Sequence, residues 1–298
     1  MQYGFHQSRT RAKKINLKIH GTGQDLDKMI NVTCITTFHE PGMKQYGQRF
    51  IDSFSEKVDP QIKLIVYAEK CQPISNDPRI IIKDADNTLP ELQAFKQTWK
   101  DVPKANGKCP WPERRPRDNH KEFKWDAVRF ANKVYAVFET AKDPSIDILV
   151  WMDADTFVHS PISYTEFRNL VPHTQWLHYL GRNKKWPECG FYGLTLRTEG
   201  ATAFLKEFQR VYDEAENNGI FNMEEWHDSY VFWEVLKKIK PQHPNIKDYS
   251  GHLINGEGHP LINCELGKYF DHLKGVRKDE GKSRKRDLLQ PRTEAYWL

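Results

Sequence analysis

No run of about 18 consecutive apolar residues occurs in this 298-residue chain, so no membrane-spanning helix is expected. Cysteine is sparse and scattered: Cys34, Cys71, Cys109, Cys189 and Cys264 form neither a CxxC pair nor an even disulfide framework. That pattern argues against structural zinc and points to a reducing compartment, so a cytoplasmic protein is expected. The opening residues, Met1 to Lys14, are basic with no apolar run behind them and do not read as a secretory signal. No internal repeat is visible. A glycine-rich phosphate loop is missing, which counts against a nucleotidyltransferase. A third acidic cluster is missing too, which counts against a metal-dependent nuclease.

What is present describes a folded enzyme-sized chain. Aromatic residues make up 12% and charged residues 29%, enough to bury a core beneath a solvated surface and too apolar for general disorder. The length suits one large α/β domain or two small ones. The net charge of +5 is mild but clustered, in Arg9 to Lys18, in Arg114, Arg115 and Arg117, and in Lys274 to Arg286. Such clusters attract phosphates or nucleic acid, although solvated faces are their commoner use.

Residues 1–28 read as an irregular arm. Ile30 to Phe38 is rich in β-branched residues and predicts a strand. Lys44 to Lys57 spaces Tyr46, Phe50 and Phe54 four apart and predicts an amphipathic helix. Strands follow at Ile62 to Tyr67 and Arg79 to Lys83, then a helix at Leu89 to Trp99 with Pro90 in its first turn. Asp101 to Asn119 has no periodicity and predicts a long functional loop. A helix is expected from Glu122 to Ala141 and a strand buried on both faces from Ile146 to Met152. Beyond residue 156 strands are expected at Trp176 to Leu180 and Phe191 to Leu196, and helices at Glu199 to Ala215 and Glu225 to Ile239. Strands alternating with helices predict an α/β fold, a mostly parallel sheet flanked by helices.

The buried strand runs straight into Asp153-Ala154-Asp155. Ligands of open α/β sheets bind at the carboxyl ends of strands, and two carboxylates there can share a hard cation such as Mn²⁺ or Mg²⁺. Such an ion would offset the charge of a departing nucleoside diphosphate. The motif is short, and Asp84-Ala85-Asp86 matches it as well. That copy precedes a helix start, where Asp commonly caps, with nucleoside contact as the minority reading.

Asp153-Ala154-Asp155 resembles the metal-binding DxD of GT-A glycosyltransferases. His272-Leu-Lys-Gly275-Val-Arg-Lys278 is similar to the HxxGxxK pattern of their retaining group, which includes glycogenin and bacterial lipooligosaccharide galactosyltransferases. Asp279-Glu280 stands where that group usually carries Pro-Trp. The resemblance spans about residues 30–280 and rests on motif order. It implies a single GT-A domain over residues 29–280, Rossmann-like with a mixed acceptor-side half, ahead of a basic tail at 281–298. It also implies Asp153, Asp155 and His272 as metal ligands, with Gly275 and Lys278 approaching the diphosphate. Thr36, Thr37 and Phe38 would cradle the nucleoside, and Cys189 to Gly193 would lie beside the donor sugar.

Asp228 falls where such enzymes carry an acidic residue opening a helix, and is the candidate catalytic residue, with helix capping as its alternative. Glu188 is a second catalytic candidate, and Glu188 and Glu225 are candidates for acceptor contact. Trp186, Trp226 and Trp233 could stack on sugars, but are more often core. The expected activity is transfer of a sugar from a nucleotide donor, a UDP-sugar first, to a hydroxyl, with retention if the HxxGxxK likeness holds. A polyanionic acceptor such as hydroxymethylated DNA is carried because of the basic clusters. The alternatives are a saccharide or lipid-linked glycan acceptor and, in another class, a non-catalytic nucleic-acid-binding protein.

Overall fold

Ile148, Leu149, Val150, Trp151 and Met152 are all buried and form β4 (Ile148–Met152), the middle strand of a seven-stranded sheet. In the computed structural model, which describes residues 29–253 and 258–298, β4 lies beside β1 (Val32–His39). β2 (Lys63–Glu69) and β3 (Ile80–Asp84) extend the parallel array outward. The expected arm at 1–28, with its Arg9 to Lys18 cluster, lies outside the described residues. On the other side of β4 the sheet changes direction. The neighbour there is β7 (Lys185–Thr195), antiparallel to both β4 and β6 (Leu177–Arg182), and β8 (Ile246–Asp248) closes that edge parallel to β6. The strand order is therefore β3-β2-β1-β4-β7-β6-β8, a mostly parallel half joined to a mixed half, as expected.

Alternate residues of each strand feed opposite faces. Ile35, Ile65 and Tyr67 join one core, which holds the apolar sides of α4 (Pro90–Trp99), α5 (Ala127–Ala141), α7 (Glu199–Asp213) and α8 (Asp228–Ile239). Cys34, Leu64 and Val66 join a second core with Phe50, Ile51 and Phe54 of α2 (Gln48–Lys57) and Phe167 of α6 (Tyr164–Leu170).

Three helix starts differ from the sequence expectation. The first helix begins right after β1 as α1 (Glu40–Gly42), four residues before Lys44, and passes through a π-helical stretch at Met43–Gly47 before α2. The helix expected from Glu122 is broken at Asp126, whose carboxylate accepts the Arg129 N–H and caps α5. Glu122–Trp125 is a separate 3₁₀ turn that seats Trp125 in the core. The helix expected from Glu225 begins at Asp228, capped by the His227 ring, which accepts from the Tyr230 N–H. Asp84 likewise caps α3 (Ala85–Thr88) by accepting the Asp86 N–H, so the second DxD copy holds a helix end.

A two-stranded ribbon stands apart from the main sheet. In it β5 (Thr156–Val158) pairs antiparallel with β9 (Phe270–His272), setting Thr156 opposite His272. Residues 281–298 pack against this ribbon after α9 (Arg277–Glu280). Ser283 donates to buried Asp271 from its backbone and hydroxyl, the Tyr296 hydroxyl donates to the same carboxylate at 2.8 Å, and Trp297 is buried. Among the described residues no helix is long and apolar enough to cross a membrane.

Candidate active site

A cleft of about 920 Å³ opens at the carboxyl ends of β1 and β4. Asp153 follows β4 directly, and its backbone N–H donates to the Gly190 carbonyl at 2.8 Å, which ties the DxD turn to β7. Asp153 Oδ1 accepts from the Trp151 indole at 2.7 Å and from Lys133 at 2.9 Å, and Oδ2 lies 3.6 Å from His272 Nε2. Asp155 Oδ1 lies 2.8 Å from His272 Nε2, and Oδ2 accepts from Lys278 at 3.0 Å. The β5–β9 register explains the meeting, because it places His272 beside the residue that follows Asp155. Burial opposes charge on Asp155, but His272 and Lys278 outweigh it and hold the carboxyl well below its ordinary range.

Asp153, Asp155 and His272 bring ligand atoms within 4.8 Å of one another. Two carboxylates and an imidazole are a donor set that Mn²⁺ or Mg²⁺ accepts. Each carboxylate also pairs with a lysine, Asp153 with Lys133 and Asp155 with Lys278. Gly190 makes the approach possible, since a Cβ there would stand 2.2 Å from His272 Cε1. These residues therefore fit such an ion.

Glu188 lies behind the histidine and is buried. Its Oε1 accepts from Lys274 at 2.6 Å and from the Gly190 N–H at 3.1 Å, and Oε2 stands 3.4 Å from His272 Nδ1 and 3.3 Å from His259 Nε2. Burial opposes its charge, yet Lys274, His272 and His259 hold its carboxyl well below the usual value. Burial also opposes charge on His272, but Asp155 and Glu188 lift the imidazole to about 9, so an ion at Nε2 would have to displace a proton.

The remaining expected residues divide between cleft and core. Thr37 and Phe38 line the cleft, with the Thr37 hydroxyl donating to the Tyr67 carbonyl. Thr36 is fully buried and does not line the cleft, so of the three residues expected to cradle the nucleoside two reach the cleft. Lys278 lines the cleft. Gly275, at φ +59°, forms the left-handed turn before it. Of Cys189 to Gly193 only Cys189 reaches the cleft, because Phe191 and Tyr192 are core and Gly193 packs on His178. Glu225 is buried against Lys124 at 2.8 Å, Arg115 at 3.0 Å and His227 at 3.0 Å. Trp226 is core, Trp233 packs against it, and Trp186 lines the cleft.

Asp228 is buried in the cleft wall, and it is His227 that supplies the cap. Its carboxylate lies 2.7 Å from Lys133. Lys133 is the candidate site residue that sequence reasoning missed. It bridges Asp153 and Asp228 and donates to the Cys189 carbonyl. Burial opposes its charge, but the two aspartates raise it well above the ordinary lysine value. The available signal was a lysine four residues before Val137 and seven before Thr140, on a face of α5 that is buried.

Fold and site together define an α/β protein with a DxD turn and a histidine at the carboxyl ends of its parallel strands. No protein-family model matches the chain, and no curated protein matches it in sequence. Solved structures that it resembles include glycosyltransferases. A glycosyltransferase involved in glycosylation of the major capsid of PBCV-1 matches at 14% identity over 84% of this chain and 99% of that one, with a TM-score of 0.42. Mouse xyloside xylosyltransferase 1 matches at 11% identity over 77% and 87%, with a TM-score of 0.39. GlyE of Streptococcus pneumoniae TIGR4 matches at 8% identity over 74% and 46%, also at 0.39. With these TM-scores below 0.5, the functional reading rests on the residues of the cleft.

Proposed function

We propose that the protein is a metal-dependent glycosyltransferase that moves a sugar from a nucleotide donor, a UDP-sugar, to an acceptor hydroxyl. The observation that carries this reading is the convergence of Asp153, Asp155 and His272 with Lys278 in one cleft at the carboxyl ends of the strands. A Mn²⁺ or Mg²⁺ ion held by the three ligands would offset the charge of a diphosphate leaving group. Lys278 adds an ammonium beside Asp155, placed to neutralise a diphosphate oxygen. Lys133 holds Asp153 and Asp228 in fixed positions, and Thr37 and Phe38 border the side assigned to the nucleoside. Retention of anomeric configuration follows from the HxxGxxK likeness, and proton NMR of the product tests it.

A DNA acceptor is not the reading that the geometry favours. Among the described residues, several basic side chains of the two later clusters pair within the chain. Arg114 and Arg115 pair with Glu224, Arg277 with Asp287, and Arg284 with Glu280. Calorimetric titration of UDP in the presence of Mn²⁺, then of EDTA, tests the donor site. Binding should require the metal and be lost in Asp155→Asn. Equal binding in EDTA would overturn the metal-dependent reading.

A further inference from the structure

The cleft holds more cations than its carboxylates engage. Lys96 pairs with Glu69, Lys133 with Asp153 and Asp228, Lys274 with Glu188, and Lys278 with Asp155. Arg129, Arg182 and Lys185 also line the cleft, and among the described residues none of the three makes an ion pair. Arg129 lies by the Phe130 ring and Lys185 over the Trp186 ring at 4.6 Å, and only Arg182 and Lys185 stand opposite each other. Both are half-buried. They are cross-strand partners closing the β6–β7 hairpin, a placement in which like charges destabilise the pair. Burial and the Arg182 guanidinium together push the Lys185 ammonium below its ordinary value. A built arrangement of unneutralised, partly desolvated cations is stabilised by an anion.

Its position says which anion. Trp186, the next residue, packs edge-on against His227 at 5.0 Å, and His227 caps the helix that begins with Asp228. Through Trp186 and His227 the pair is joined to the part of the cleft wall that carries Asp228, the acidic residue expected near the acceptor. Arg182 also lines a smaller adjoining cavity of about 280 Å³ with Lys274 and Arg277. We propose that Arg182 and Lys185 form an anion seat for the acceptor, which carries a phosphate or carboxylate group close to the hydroxyl that receives the sugar. The inference rests on the sugar-transfer reading and adds a substrate class to it.

The test uses the full chain saturated with UDP and Mg²⁺, so that the donor diphosphate site is filled. Inorganic phosphate and, separately, glucuronate are titrated and followed by calorimetry. Saturable binding of either, weakened at least tenfold in the Arg182→Gln/Lys185→Gln double variant while UDP affinity is unchanged, supports the seat. Phosphate alone would indicate a phosphorylated acceptor and glucuronate alone an acidic sugar. The retained UDP affinity shows that the variant is folded. If neither anion binds, or the double variant binds as well as the parent, the inference is overturned. If UDP itself does not bind but the anions do and the double variant loses them, the seat stands and the donor reading is withdrawn.

Discussion

At the scale of single residues, the site depends on charges that compensate one another out of water. Lys133 has only 9% of its side chain exposed and serves two carboxylates at 2.9 and 2.7 Å. Removing one partner of a buried pair leaves the other uncompensated, at a cost of about 3–5 kcal/mol. Lys133→Ala is therefore expected to lose stability on that order in denaturant unfolding, and a change within error of zero would remove its bridging role. Glu188 acts at one remove from the DxD. Its carboxylate faces Nδ1 of His272, whose Nε2 faces the two aspartates. The two atoms stand 3.4 Å apart without a hydrogen bond. If they close on each other when an ion binds at Nε2, loss of such an outer-shell partner costs roughly 10–100-fold in metal affinity. Glu188→Gln should weaken Mn²⁺ binding in that range without unfolding the chain, as judged by Mn²⁺ titration beside circular dichroism. Unchanged affinity would leave Glu188 a packing residue.

At the scale of elements, most of the fold was legible in the sequence because periodicity reports burial directly. The apolar run Ile146 to Met152 holds the central strand, Ile148–Met152, and the alternating strands and helices became a mostly parallel sheet. Helix starts were less legible, since a cap is decided by one side chain turning back on the backbone. Asp126 illustrates the point: the helical pattern runs through it, but its carboxylate accepts the Arg129 N–H and divides a 3₁₀ turn from α5. Loss of such a cap costs about 1 kcal/mol. Asp126→Ala should lower the unfolding free energy by about that amount in denaturant unfolding. The same mechanism moved the α8 boundary, where the His227 ring does the capping and Asp228 is left for the cleft.

For the whole molecule, the legible part of the site was the part written as motif. The DxD and HxxGxxK segments could be matched by spacing, and the β5–β9 register brings them together. Lys133, Arg182 and Lys185 were not legible, because their significance comes from which charges surround them in space. Burial also sets the pH response. His178 is fully buried with Nε2 2.9 Å from the Pro172 carbonyl, and burial pushes its imidazole down to about 4. Above its ordinary value of 6.5 the residue is neutral in both folded and unfolded chains and its contribution is intact. As pH falls from there toward 4, the unfolded chain takes up a proton that the folded chain excludes, so stability falls, on the order of 3 kcal/mol from this residue. Thermal unfolding from pH 7 to pH 4 should show that decline, and the His178 ring resonance should not titrate between pH 7 and 5. A ring titrating near 6.5 would remove His178 from the account.

The ribbon of β5 and β9 also bears on assembly. Asp155 and His272 are 117 positions apart, so their contact closes one of the longer loops in the chain. Long loops are closed at an entropic cost before their contacts give anything back. A metal and nucleotide that need both ends would recognise only chains that have completed this closure. They would act as a latch on the finished topology, adding about 2.7 kcal/mol at a hundredfold excess over Kd.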